Sequence, residues 1–161
     1  MSQAKMPPVQ VMTISQAMYH ALTLAEEAAR AGEVPVGAVV LDEQGQMLAA
    51  ARNRVEEDCD ASAHAELLAM REAAQYCGSS RLADCTVIVT LEPCPMCAAA
   101  MSHFRIRRLV YGAYDPKGGA VDHGARHFQQ PGCLHRPAEI ISGLQERKAA
   151  AQLRAFFQAL R

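Results

Sequence analysis

No run of about 18 or more apolar residues occurs in this 161-residue sequence, although half of it is hydrophobic, so no membrane-spanning helix is expected. The first stretch, Met1 to Gln10, lacks the apolar centre of a secretion signal, which points to the cytoplasm. Repeats and low-complexity linkers are absent, and the length suits one soluble globular domain, 1–161, with apolar residues enough for a sizeable core. Net charge is almost absent too, at −1, which taken alone argues against a nucleic-acid partner. That average hides an asymmetry. Residues 1–100 carry 6 Lys and Arg against 13 Asp and Glu, a balance of −7, whereas residues 101–161 carry 10 against 4, a balance of +6. A basic surface is therefore expected in the second part of the chain. Six cysteines in a chain this long are too sparse for a disulfide scaffold, so reduced thiols are expected.

What is present is an alternation of helical and strand patterns. Thr13 or Ser15 can cap a first helix whose apolar positions Met18, Leu22, Ala25 and Ala29 recur at helical spacing, with Gly32 as its end. Residues 36–41 are β-branched and too short for a helix. A turn at 42–45 and a second apolar run at 47–51 make a hairpin with them. A helix is predicted over 63–77, with Leu67, Leu68, Met70 and Ala74 inward and Gly78 as its stop. The run 85–91 reads as a central strand. Pro95 suits the first turn of a helix to about His103, and 109–111 reads as a further strand. Residues 112–137, rich in Gly, Pro and His, read as a long irregular loop with room for a short helix, and His123 and His127 are read as its surface. Ser142 and Gln145 have the spacing of a capping box that opens a final helix through Leu153, Phe156, Phe157 and Leu160. The order predicts a three-layer α/β/α fold with a central mixed sheet.

Two segments concentrate metal-binding and acid/base residues: Ala63-His64-Ala65-Glu66 and Leu91-Glu92-Pro93-Cys94-Pro95-Met96-Cys97. Each lies where a strand or loop feeds a helix. One imidazole and two thiolates make a three-ligand zinc set that leaves the fourth tetrahedral position to water, the catalytic arrangement. Cys94 and Cys97 are three apart, so their sulfurs share one side of a first helical turn. His64 and Glu66 are two apart, about 200° around a regular helix, and converge only on a point ahead of the helix end. A Zn²⁺ with two thiolates is formally neutral and acidifies its water less than one held by imidazoles, so a carboxylate has to take the proton, and Glu66 is the candidate. The reaction this points to is hydrolytic deamination of a purine or pyrimidine, since paired His-x-Glu and Pro-Cys-x-x-Cys motifs mark zinc nucleobase deaminases. The blander readings are a thioredoxin-like redox pair at Cys94 and Cys97, or a structural zinc site completed by Cys59, His103, Cys133 or His135. The four remaining cysteines are read as core residues.

At these motifs the sequence resembles the cytidine deaminase-like superfamily and, within it, the bacterial tRNA-specific adenosine deaminases. The resemblance extends over Glu33-Val-Pro-Val-Gly-Ala38, Asn53, Thr90-Leu-Glu-Pro-Cys94, Arg105-Ile106, Tyr111-Gly-Ala113, Asp115, Lys117 and Phe156-Phe157. It implies one zinc ion on His64, Cys94 and Cys97, proton transfer by Glu66, and a hydrogen bond from Asn53 to the adenine. It also implies contacts of Asp115, Lys117 and the final helix with a tRNA anticodon loop, and a homodimer that converts the wobble adenosine to inosine. The segment 119–135 departs from the family pattern: Gly119-Ala-Val-Asp-His-Gly-Ala-Arg126 stands where a Gly-Ser-Leu segment is usual, and Leu134 stands in place of an Asn. A Lys-rich tail is also missing. A zinc-dependent deaminase of a free base or nucleoside, guanine or cytosine in type, is the alternative these departures keep open.

Overall fold

The computed structural model describes residues 10–161; residues 1–9, on which the reading of the leader rests, lie outside the described part. Helix α1 spans Ile14–Arg30, and Thr13 is its cap. The Thr13 Oγ1 accepts from the Gln16 N–H at 3.1 Å while the Gln16 side-chain oxygen accepts from the Thr13 N–H at 2.9 Å, a reciprocal box that satisfies two free donors. Its buried stripe is Ala17, Met18, Ala21, Leu22, Ala25 and Ala28, so Ala28 takes the place expected for Ala29. The alanines let the helix lie close on the sheet. A Cβ at Gly37 would sit 2.0 Å from the Ala21 carbonyl oxygen, so only glycine fits there.

Strands β1 (Gly37–Leu41) and β2 (Met47–Arg52) form the expected hairpin. Helix α2 (Ala65–Cys77) ends on Gly78 in the left-handed conformation, φ 64°. Next come β3 (Thr86–Leu91), α3 (Pro95–Phe104) and β4 (Arg108–Ala113), the last longer at both ends than the pattern predicts. A 3₁₀ turn at His127–Gln129 interrupts the long loop. A short strand β5 (Glu139–Ile141), not predicted, precedes α4 (Glu146–Ala159).

The sheet order is β2-β1-β3-β4-β5. β1 is antiparallel to both β2 and β3, whereas β3, β4 and β5 are parallel, so the sheet is mixed as expected. Side chains alternate across it. Ala38, Val40, Val87, Val89, Leu109 and Tyr111 pack with Ala69, Met70, Ala98 and Met101 of α2 and α3. Val39, Leu41, Ile88 and Val110 pack with Met18, Leu22 and Ala149 of α1 and α4. These two cores make the three layers.

Two details of the helices differ from the sequence pattern. On α2 the buried face is Ala65, Glu66, Ala69, Met70 and Ala73, while Leu67, Leu68 and Ala74 are half-buried, because the small residues approach the sheet and the leucines are left beside it. The capping box at Ser142 does not form. Gln145 itself precedes α4 with φ 58° and makes no side-chain cap, and the Ser142 hydroxyl donates to Asp122 at 2.9 Å.

Because β1 alone runs against the others, β2, β3 and β4 all end at one edge of the sheet, with Arg52 opposite Gly37 and Leu91 opposite Ala113. The segments that follow these strands are thereby delivered to one place, the usual position of a ligand crevice in an α/β sheet.

Candidate active site

Asn53 follows β2 and is 8 % exposed. Its Oδ1 accepts from the Ala65 N–H at 2.8 Å, satisfying a free donor at the start of α2 and fixing that end against the strand. The Asn53 amide group is left as the part able to donate to a ligand. His64 is the residue before the first helical one, with extended backbone (φ −77°, ψ 145°), so it does not obey the 200° helical reckoning and shares one side of the helix end with Glu66. Cys94 holds the same position before α3 (φ −72°, ψ 171°), Pro95 opens the helix, and Cys97 follows in its first turn.

The three side chains meet. The Cys94 and Cys97 sulfurs each lie 3.6 Å from His64 Nδ1. A tetrahedral ion with Zn–S of about 2.3 Å and Zn–N of about 2.0–2.1 Å separates sulfur from nitrogen by about 3.5–3.6 Å, so the donor set and its spacing both fit zinc. Among the described residues these three form the one group able to hold a metal, and none of Cys59, His103, Cys133 or His135 joins it. All six cysteines are free thiols. Of the four outside the site only Cys85 is a core residue, its thiol pushed up to about 12 by burial; Cys59 and Cys77 are exposed and Cys133 is half-buried.

The electrostatics suit an ion with two thiolate ligands. The Cys94 thiol is pushed down to about 4, first by hydrogen bonding from Cys97 and then, against its burial, by the His64 ring. Cys97 moves up, because its proton bonds the Cys94 sulfur and because it is buried beside the Glu66 charge. Two adjacent sulfurs without a cation share one proton, and a divalent cation displaces it. His64 is raised by its contact with Cys94, against burial. Glu66 is 4 % exposed, and burial raises its carboxyl above the ordinary range. Its Oε2 is buried with no hydrogen-bond partner, and the residue lines the same cavity as His64 and Cys94.

His64, Glu66 and Cys94 line a cavity of ≈ 530 Å³ together with Asn53, Glu33, Glu92, Asp115, Phe156, Phe157 and Leu160. Asp115 reaches the cavity but spends its Oδ1 on the N–H groups of Lys117 and Gly118, at 3.2 and 2.9 Å, which makes it a turn-former as well as a lining residue. Lys117 is exposed and lines an adjoining groove with Tyr114, Phe157 and Arg161. Basic residues of the second part gather in two places: Lys117, Arg154 and Arg161 line grooves beside the cavity around Phe157. Arg105, Arg107 and Arg108 lie at the start of β4, the edge opposite the cavity, and Arg108 pairs with Glu139 at 2.8 Å.

Two buried carboxylates stand in the sequence motifs without a role that the motifs assign. Glu33 accepts the Glu56 and Glu57 N–H groups, both at 3.0 Å, and so holds the turn that leads to His64. Glu92 binds the 115–123 loop, and His123, expected at the surface, is half-buried with its Nδ1 2.8 Å from Glu92. Their signal was a lone acidic residue beside an apolar run, which has no periodicity to betray it.

Comparison with known proteins adds four findings. The cytidine and deoxycytidylate deaminase zinc-binding region matches residues 12–113. The tRNA-specific adenosine deaminase of Agrobacterium fabrum is 51% identical over 142 residues, 88% of this chain and 91% of that one. A solved structure from a study of A-to-I editing by tRNA deaminases at the wobble position superposes with a TM-score of 0.83 at 49% identity, covering 85% of this chain and 98% of that one. The guanine deaminase of Bacillus subtilis superposes with a TM-score of 0.61 at 36% identity, covering 64% and 66% of the two chains.

Proposed function

The chain belongs to the cytidine and deoxycytidylate deaminase zinc-binding family, and from that premise we propose that it converts the wobble adenosine of a tRNA anticodon to inosine by hydrolytic deamination. The observation that carries the chemistry is the unpartnered, buried Glu66 Oε2 beside the His64, Cys94 and Cys97 group. The substrate choice is supported by sequence identity: tRNA-specific adenosine deaminases are about half identical along nearly the whole chain, whereas guanine deaminases match at 36% over 64% of the chain or at 24% over 94% of it.

In this reading His64, Cys94 and Cys97 hold one zinc ion. The ion, when bound, supplies the Lewis acidity that makes water nucleophilic near neutral pH. Glu66 takes a proton from the attacking water, delivers it to a ring nitrogen and carries a second proton to the departing amine, so that water and adenosine leave as ammonia and inosine. The raised carboxyl of Glu66 suits this two-way traffic, because a carboxylate in the ordinary range is too weak a base to take a proton from water, whereas a raised one can accept it and still give it up. Asn53 donates its free amide hydrogens to the base, its oxygen being committed to Ala65. Phe156, Phe157 and Leu160 wall the cavity with apolar surface against the flipped base, and Asp115 and Lys117 contact the flanking nucleotides.

Residues 1–161 act as one deaminase domain, in the cytoplasm, and as a homodimer. No helix among the described residues is long and apolar enough to cross a membrane. The dimer rests on the outer side of α3 and α2: Ala98 and Met101 face the core, whereas Met96 is 38% exposed and Ala99, Ala100, Leu67 and Leu68 are half-buried, an apolar face that suits a second copy. A monomer at micromolar concentration by light scattering would count against it. The deciding assay offers the purified zinc-loaded chain an anticodon stem-loop and a panel of free bases. Inosine in the stem-loop is expected; turnover of guanine or cytosine with no inosine formed would replace this reading with a free-base deaminase.

A further inference from the structure

We infer that Glu92 is a positioning residue for substrate, holding the loop that carries Asp115 and Lys117 over the cavity; the inference rests on the substrate reading above. Its carboxylate is 2 % exposed and receives five donors from a single loop. Oε1 accepts from the Asp115 N–H at 3.1 Å and lies 2.8 Å from His123 Nδ1. Oε2 accepts from the Val121, Asp122 and His123 N–H groups at 3.2, 3.0 and 3.0 Å. One side chain therefore fixes both ends of the stretch 115–123, while the Asp115 carboxylate closes the turn between them. Backbone bonds add to the seam: Glu92 N–H donates to the Ala113 carbonyl at 2.8 Å, and Ala120 N–H to the Pro93 carbonyl at 2.8 Å. Gly119 passes directly over the carboxylate, where a Cβ would meet the Glu92 carboxyl carbon at 2.5 Å.

Glu92 stands two residues before Cys94 in the same connection, so the segment that carries a sulfur also carries the anchor of the loop facing the substrate. The loop has a second tether on its outer side, since Asp122 accepts from the Tyr111 and Ser142 hydroxyls. The tethers divide the work. Asp122 ties the far part of the loop to β4 and to the turn before α4, and Glu92 Oε1 alone among side chains fixes the Asp115 N–H and hence the placement of Asp115 to Gly118 at the cavity mouth. The amide oxygen of a glutamine can keep the three bonds of Oε2, but its NH₂ opposes the Asp115 N–H, donor against donor.

The experiment compares wild-type and Glu92→Gln proteins, both zinc-loaded, by amide hydrogen exchange, metal analysis and deamination of an anticodon stem-loop. Faster exchange confined to about residues 115–119 is expected, with one zinc per chain retained. KM for the stem-loop should rise about tenfold, as for loss of a buried hydrogen bond to a charged group, with kcat within about twofold. A Gly119→Ala protein should show the same split from the loop side, and it decides the matter if Glu92→Gln does not fold. Unchanged exchange in 115–119, loss of zinc, or a fall in kcat at constant KM each overturns the inference. Exchange needs no substrate: if the wild type makes no inosine, the function reading fails alone and the exchange result still decides the role of Glu92.

Discussion

The candidate metal centre and the rim of the cavity lie on the same edge of the sheet yet are built by different means. The centre takes its residues from two helix starts, each rooted in an adjacent strand, and every one of its side chains is within about one turn of a helix end. The rim takes its residues from a loop of more than twenty residues and from the end of the last helix, and it is held by side-chain bonds reaching across 23 to 31 positions of sequence. Rigid helix starts fix sub-ångström ligand spacing, which chemistry requires. A loop tied at a few points tolerates altered sequence, and the departures from the family pattern at 119–135 fall there and spare the centre.

If the two regions divide chemistry from recognition, their substitutions must separate in what they change. The largest effect is expected at the ligands: Cys97→Ala should abolish both zinc and turnover and lower Tm, because a three-ligand set with one thiolate removed neither holds the ion nor neutralises the pair of helix starts. Full metal content by elemental analysis would remove Cys97 from the centre. Glu66→Gln comes next. Turnover should fall about 10²–10⁴-fold or more with zinc and fold retained, since the proposed role of the side chain is to move protons and it stands outside the ligand group. Activity within a few fold of wild type would transfer the proton role to another group.

At the rim the changes should be smaller and of another kind. Lys117→Ala is expected to raise KM for an anticodon stem-loop a few fold, to leave kcat alone, and to flatten the dependence of log affinity on log salt by roughly one unit. A salt slope equal to wild type would mean that Lys117 meets no phosphate. The smallest effect is predicted for Ser142→Ala, whose hydroxyl bonds Asp122 and does not cap α4. Urea unfolding should show a loss of about 1 kcal/mol or less, the ordinary net worth of one hydrogen bond. A loss near 2 kcal/mol, with α4 signals melting first, would restore the cap that the sequence suggested.

How much of this was legible follows the same division. Thr13 and Gln16, Pro95 and Gly78 announce helix ends because capping is a contact among residues three or four apart. His64, Glu66, Cys94 and Cys97 were legible as chemistry because two short motifs carry them. The buried face of α2 was misread, since periodicity marks which residues are apolar but not that alanines would bring the helix onto the sheet and leave Leu67 and Leu68 at its side. Strand β5 was missed because three residues are too few to show alternation; it exists by pairing with β4.

By itself the sequence determined the ligand types, the helix starts that present them and the hydrophobic alternation of the strands, all of which are set by neighbours within a few residues. Only the tertiary structure decided that positions 64 and 94 meet at 3.6 Å, because that distance depends on β1 running antiparallel between strands that share a direction. It also decided that Glu92 anchors residues 115 to 123 and that most arginines near β4 lie away from the cavity. Hydrogen bonds and charge placement across tens of residues are fixed by the register of the sheet, and no local pattern in the chain records that register.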